Sequence, residues 1–224
     1  MNAFQLNYLH AMGIQPWQSK QPAPSIIDTP LQENLTALRA AVARCTACTL
    51  HKTRTQTVFG TGNPQADLML IGEAPGFYED KKGEPFVGRA GQLLNAMLQA
   101  IGLDRHTVYI ANILKCRPPN NRDPLPEEVS QCTGFLTKQI ELIQPKLLLA
   151  LGRIAGHYLL DTQTSLSQMR GKLHSYGSQA TPLIVTYHPA YLLRNPRDKN
   201  KAFQDLQLAH RSLNLTITPS TRLE

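Results

Sequence analysis

The chain has no run of about 18 consecutive apolar residues, which excludes a membrane-spanning helix. Residues 1–20 lack a basic start followed by an apolar segment, so no secretory signal is expected and a cytoplasmic location is. Internal repeats and low-complexity tracts are not visible. Charge is sparse, at 17% of residues, and acid is the scarcer sign: 16 Asp and Glu stand against 23 Lys and Arg, a formal net charge of +7. Such a surplus points towards polyanions, and composition alone separates neither DNA, RNA, anionic lipid nor small phosphates. Cysteine is limited to four. These would make two disulfides in a secreted protein, but in a reducing compartment they read as a metal site or as isolated thiols.

What is present fits one compact domain: 224 residues, 42% of them hydrophobic, are too few for two full-size cores. Residues 1–30 are expected to lie outside it as a flexible tail. Leu6, Leu9 and Met12, with Tyr8 alongside, sit near helical spacing, and Pro16, Pro22, Pro24 and Pro30 then forbid a long helix. A domain over 31–215 and a disordered C-terminal tail over 216–224 complete the expected organisation.

From Leu35 the pattern Leu35, Leu38, Ala41, Val42 predicts an amphipathic helix that leads to Cys45. Four short apolar runs follow, over 67–72, 108–114, 146–152 and 182–187, and each reads as a buried strand. Helical patterns lie between or after them, over 92–101, 126–143, 153–160 and 199–213. Strands that are apolar throughout and alternate with helices imply a parallel sheet covered on both faces. The expected fold is therefore α/β, a three-layer α/β/α sandwich around a central, mainly parallel four-stranded sheet. Its crevice should open at the carboxyl ends of the strands.

The residues after each predicted strand carry the chemistry. The first is followed by Gly72-Glu73-Ala74-Pro75-Gly76-Phe77-Tyr78-Glu79-Asp80, the second by Asn112 and then Lys115-Cys116-Arg117, and the fourth by His188-Pro189-Ala190-Tyr191. Gly72 and Gly76 allow a tight turn with backbone near a ligand, and Pro75 stiffens it, so Glu73 is presented on a constrained loop. Alone, such a turn is equally a plain connector, Glu79 and Asp80 are equally surface charges, and His188 is equally a strand cap. All three loops opening on one edge of a sheet is what makes them a site. Cys45 and Cys48 form C-x2-C, with Cys116 and Cys132 further on. An all-cysteine set of four suits tetrahedral zinc or an iron-sulfur cluster, and spacing does not choose between them.

Read together, C-x2-C, GEAPGFYED, Pro85-Phe86-Val87-Gly88, Asn112 with the third cysteine, the fourth cysteine and HPAYLLRNP resemble the family 4 uracil-DNA glycosylases, the iron-sulfur branch of that superfamily, in order and over residues 35–213. The resemblance implies a [4Fe-4S] cluster on Cys45, Cys48, Cys116 and Cys132, and hydrolysis of the N-glycosidic bond of deoxyuridine in DNA. It implies a uracil pocket of Gly72, Glu73, Ala74, Gly76, Phe86, Asn112 and His188, entered by a flipped nucleotide. Phe86 would stack on the base, and Asn112 would donate to O4 and accept from N3-H. The Glu73–Gly76 turn or Tyr78 would exclude the thymine methyl. His188 would donate to O2 of the departing anion, and Glu73 or Asp80 would position water. Family 1 enzymes carry an aspartate base where this chain has Ala74. Tyr191, Leu192, Leu193 and Arg194 resemble a minor-groove wedge, and Lys115, Arg117, Arg122, Arg170, Lys172, Arg194 and Arg197 are candidate phosphate contacts. The cluster is expected to shape a DNA-facing surface, and the protein to act as a monomer.

Two other readings stay open. A related branch links a loop histidine covalently to the abasic sugar, and His174 stands in the corresponding region, although that branch has a glutamine in the glycine turn and an arginine-rich insertion that this chain lacks. A non-enzymatic iron-sulfur DNA-binding accessory of replication is the second. It is suggested by residues 9–17, which resemble the N-terminal peptide of the psi subunit of the bacterial clamp loader, so that residues 1–20 would tether the protein to a replisome partner.

Overall fold

A computed structural model of the chain describes residues 35–217. The tail expected over 1–30, with its clamp-loader-like peptide, lies outside the described residues. In chain order the elements are α1 (Leu35–Arg44), β1 (Thr61–Gly62), β2 (Leu68–Gly72), α2 (Phe77–Lys82), α3 (Arg89–Gln99), β3 (Tyr109–Asn112), α4 (Pro126–Ile143), β4 (Leu147–Leu151), α5 (Arg153–Leu160), α6 (Leu166–Met169), β5 (Leu173–Tyr176), β6 (Thr181–Thr186), α7 (Pro189–Arg194) and α8 (Lys199–Ile217).

The sheet has six strands in the order β1-β3-β2-β4-β6-β5, not the four expected. The four predicted apolar runs are its parallel centre, and β1 and β5 add antiparallel edges, so the sheet is mixed. Both edges escaped sequence reading for a physical reason. Thr61–Gly62 is too short to show a period, and Leu173–Tyr176 alternates exposed and half-buried positions and has no continuous apolar run. The last helix runs to Ile217, two residues into the segment expected as a tail.

The central strands are buried on both faces because their side chains alternate between two cores. Leu68, Leu70, Leu147, Leu149 and Ile184 pack on one side with Leu94 and Leu98 of α3 and Ala202 and Leu206 of α8. Met69, Ile71, Leu148, Ala150, Leu183 and Val185 pack on the other with Leu136 and Ile140 of α4 and Ala155 and Leu159 of α5. A third cluster joins Leu38 and Val42 of α1 to Leu50, Phe59, Leu114, Phe135, Cys116 and Cys132. The helix α4 starts cleanly because Pro126 occupies its first turn, while the Glu128 carboxylate accepts from the Leu125 N–H and, bidentately, from Arg122 at 2.6 and 2.9 Å.

Register sets up the site. Gly72 lies opposite Asn112, Ile71 opposite Ala150 and Leu151 opposite Thr186, so four strands end along one line. From β2 the chain crosses first to β3 and then back to β4, which puts the topological switch between β2 and β4, where open α/β sheets bind ligands.

Candidate active site

Three side chains converge at the ends of β2, β3 and β6. Gly72 makes room for two of them: a Cβ there would overlap the Asn112 Oδ1 and come within 2.8 Å of the Phe86 ring. Phe86 is buried and holds a left-handed backbone, φ 54°, a conformation that persists only when the surroundings enforce it. Arg105 does so, donating to the Pro85 carbonyl at 2.7 Å and the Phe86 carbonyl at 3.1 Å. Sequence reading gave no signal for Arg105, which lies far along the chain in a loop. The Phe86 ring tilts against the His188 ring, with centroids 5.5 Å apart.

Asn112 is buried, and its Oδ1 is the buried side-chain polar atom without a hydrogen-bond partner among the described residues. Such an orphan acceptor is expensive unless something fills it. His188 caps α7: its Nδ1 accepts from the Ala190 N–H at 3.1 Å. A ring that accepts at Nδ1 carries its proton at Nε2 when neutral. It is neutral at ordinary pH, because burial first, and Arg194 second, push its pKa down to about 4 against the opposing pull of Glu79.

The carboxylates divide into two kinds. Glu73 lines an open crevice with Asp123, Arg153, Ser165, Ser167, Tyr187, His188 and Tyr191. Burial, then the charge of Asp123, raise its pKa to about 7, partly offset by Arg153, which faces Asp123 at 3.6 Å. Glu79 accepts from the Val87 and Gly88 N–H groups at 2.9 and 3.1 Å and so ties α2 to the Phe86 loop. Gly76 suits this, because a Cβ there would meet the Glu79 carboxylate at 2.7 Å. Asp80, by contrast, is buried with both oxygens on the Thr55 N–H, at 2.9 and 3.0 Å. It holds a loop and does not line the crevice. Ala74 packs towards the third core cluster.

Several residues expected to meet DNA are otherwise occupied. Leu192 is 1% exposed and belongs to the core, whereas its neighbour Leu193 is 39% exposed. The Arg170 guanidinium donates to Asp205 at 2.8 and 3.0 Å, to the Lys201 carbonyl at 2.7 Å, and lies over the Tyr187 ring. Arg122 is held by Glu128, and Lys115 is fully buried. Tyr191 stacks on Tyr187 and gives its hydroxyl proton to Asp198 at 2.8 Å. Arg194 and Arg197 are exposed, and Arg117 is half-buried, over the exposed Phe77 ring. His174 sits on β5 with its Nε2 2.6 Å from the Met169 carbonyl, outside the residues that line the crevice.

The four cysteines, all free, line one small cavity with Val42, His51, Arg54 and Phe135. Cys45 follows α1, Cys48 precedes the turn Thr49–Lys52, Cys116 follows β3 and Cys132 lies on α4. The Arg54 guanidinium donates to the Cys116 Sγ at 3.1 Å, and the Lys115 N–H to the Cys132 Sγ at 3.3 Å. Four sulfurs around one cavity, two of them receiving N–H groups, form a donor set for an all-thiolate centre.

Comparison with known proteins agrees with this geometry. The family model of the uracil DNA glycosylase superfamily matches residues 59–208. The chain is 45% identical over 181 residues to a type-4 uracil-DNA glycosylase of Archaeoglobus fulgidus, covering 78% of this chain and 91% of the relative. It is 46% identical over 166 residues to a type-4 uracil-DNA glycosylase of Thermotoga maritima, covering 73% and 85%. A type-5 uracil-DNA glycosylase of Thermus thermophilus is 34% identical over 147 residues, covering 58% and 67%. With strand-end asparagine, histidine and glycine turn, four gathered cysteines and these matches agreeing over most of its length, the chain belongs to the uracil DNA glycosylase superfamily, in its type-4 branch.

Proposed function

We propose that this protein hydrolyses the N-glycosidic bond of deoxyuridine in DNA, releasing uracil as the first step of base excision repair. The observation that carries the reading is the unpartnered Asn112 Oδ1 at the strand ends. Uracil offers N3-H to that acceptor and O4 to the amide N–H, whereas cytosine presents a bare N3 and an amino group, the wrong pattern at both positions.

A stacked base cannot reach this crevice, so the nucleotide is extruded, and Phe86 provides the surface on which it lies. As the bond from C1' to N1 breaks, negative charge grows on uracil O2. The neutral His188, its Nδ1 occupied by the Ala190 amide, has an N–H at Nε2 to donate to that oxygen without the charge of an imidazolium. Glu73, as carboxylate, favours the cationic sugar and orients the attacking water. Ala74 contributes no base, and the link from Asp80 to Thr55 argues against a direct part for that carboxylate. On the DNA side, the exposure of Leu193, Arg194 and Arg197 supports a wedge formed by Leu193 and not Leu192, with the two arginines on flanking phosphates.

The cysteine set fits a [4Fe-4S] cluster on Cys45, Cys48, Cys116 and Cys132, whose four thiols line one cavity as an all-sulfur donor set. A cluster would supply cross-linking between α1, the loop after β3 and α4, and none of the chemistry above passes through it.

The deciding experiment is release of uracil from a uracil-containing oligonucleotide, with His188→Ala beside the wild-type protein. Abasic product from the wild type, and a rate lower by roughly 10²- to 10³-fold in the variant, are expected. No abasic product from the wild type would refute the activity. A protein-DNA adduct that survives denaturation would overturn turnover in favour of cross-linking through a loop histidine.

A further inference from the structure

We propose that Lys115 is a positioning residue that couples the four-cysteine centre to the base-reading Asn112; this rests on the readings of both sites given above. Lysine is rarely found where this one is. Its side chain is 1% exposed, and among the described residues no carboxylate pairs with it. The ammonium donates to two neutral oxygens instead, the main-chain carbonyl of Asn112 at 2.7 Å and the Gln139 Oε1 at 2.5 Å. The main-chain N–H of the same residue donates to the Cys132 Sγ at 3.3 Å, and Cys116 is the next residue in the chain. One residue therefore touches both sites, its backbone at the sulfurs and its side chain at the residue that meets the base.

The second acceptor is itself fixed. Gln139 donates from Nε2 to the Phe59 carbonyl at 2.9 Å and to the Tyr109 hydroxyl at 3.4 Å. It lies on α4 two turns beyond Cys132, so the helix that supplies a sulfur also supplies the anchor for the lysine. A cation enclosed by neutral oxygens alone is costly, and burial is tolerable where negative charge stands close by. Thiolates around an iron-sulfur cluster leave net negative charge on the protein side of the cavity, next to this lysine. Asn112 gains a carbonyl held by a charge-assisted hydrogen bond, which sets the end of β3 and with it the direction of the side-chain amide. Sequence reading placed Lys115 among the phosphate contacts. Its burial removes it from that role and leaves it with this one.

The test uses anaerobically purified holoprotein and Lys115→Met, which keeps the length of the side chain and the main-chain N–H but has no donor and no charge at its tip. Three readouts are taken: iron and sulfide content, the reduction potential of the cluster, and affinity for an oligonucleotide carrying a non-hydrolysable deoxyuridine analogue against its deoxycytidine counterpart. Expected are full iron content, a potential shifted to more negative values because a nearby positive charge has gone, and a preference for the uracil analogue reduced by about tenfold to a hundredfold, with affinity for the deoxycytidine strand unchanged. A folded, iron-loaded variant with the wild-type potential and wild-type preference overturns the proposal. Should Lys115→Met fail to fold, Lys115→Gln, which keeps an N–H donor without the charge, is read by the same criteria. The wild-type protein separates the two levels of inference. If it shows no preference for the uracil analogue, the glycosylase reading fails, whereas the potential of the variant tests the lysine without any DNA present.

Discussion

Glu73 should impose a pH profile on uracil release that Glu73→Gln abolishes. The carboxyl has a pKa near 7 because burial disfavours its charge and Asp123 adds repulsion, with Arg153 opposing both. If Glu73 acts as carboxylate, about one site in a hundred is active at pH 5 and about nine in ten at pH 8, so the single-turnover rate climbs nearly tenfold per unit and levels off above 7. His188 does not blur this window, since it is already neutral above pH 4 or so. Single-turnover rates on a uracil oligonucleotide between pH 5 and 8.5, at saturating enzyme, make the assay. Glu73→Gln should lower the rate at pH 8 by about 10²-fold and flatten the curve. Arg153→Met should move the midpoint upwards and Asp123→Asn downwards, because these two charges adjust a pKa that burial raises. Stability gives an independent check with a definite sign. A carboxyl whose pKa is raised on folding binds its proton more tightly in the native state, so stability falls as pH rises from about 4.5 to 7 and the deficit persists above. Glu73→Gln should thus raise the melting temperature at pH 8 and leave it nearly unchanged at pH 4. A profile that is flat in the wild-type protein, or one that keeps its midpoint in Glu73→Gln, would refute the assignment.

Leu192→Ala should destabilise the protein by about 2–5 kcal/mol in chemical denaturation, because it empties a core position, while Leu193→Ala leaves stability unchanged and weakens binding to duplex DNA in a titration. Arg170→Ala leaves Asp205, 0% exposed, without its ion-pair partner and with the Thr186 hydroxyl still donating to it, and should cost about 3–5 kcal/mol, with no change in the salt dependence of DNA binding. Arg197→Ala should do the reverse, lowering that salt slope by about one with the melting temperature kept. Cys116→Ala should lose visible absorbance, thermal stability and DNA affinity together; a stable, fully active and DNA-binding variant would refute the structural part given to the cysteines.

The residues whose surroundings sequence leaves undecided share a cause. Lys115, Arg117, Arg122, Arg170, Arg194 and Arg197 all look like solvated cations in a basic chain, and composition contains nothing that distinguishes them. Only packing shows that Arg170 is consumed by Asp205 and that Lys115 is enclosed between Asn112 and Gln139. Leu192 and Leu193 are likewise equal in a string of letters. The short helix Pro189–Arg194 turns one into the core and the other outwards, because adjacent residues on a helix lie about 100° apart. Asp80 has the same charge as Glu73 seven residues on, but it lies in the helix Phe77–Lys82 with its carboxylate on the Thr55 amide, away from the crevice.

By itself, the sequence determined the four apolar strands, the helices between them and the loops that follow them, since alternating runs of that length leave a parallel, doubly covered sheet as the way to bury them. It also determined the chemical inventory at the strand ends and the four thiols. Tertiary structure decided what those groups can do. Register put Gly72 beside Asn112, and the missing Cβ admitted Phe86. The helix start after His188 chose the ring tautomer, and burial beside Asp123 moved Glu73 towards neutrality. Ionisation, tautomer and exposure depend on neighbours distant in the chain, and these come together only when it folds.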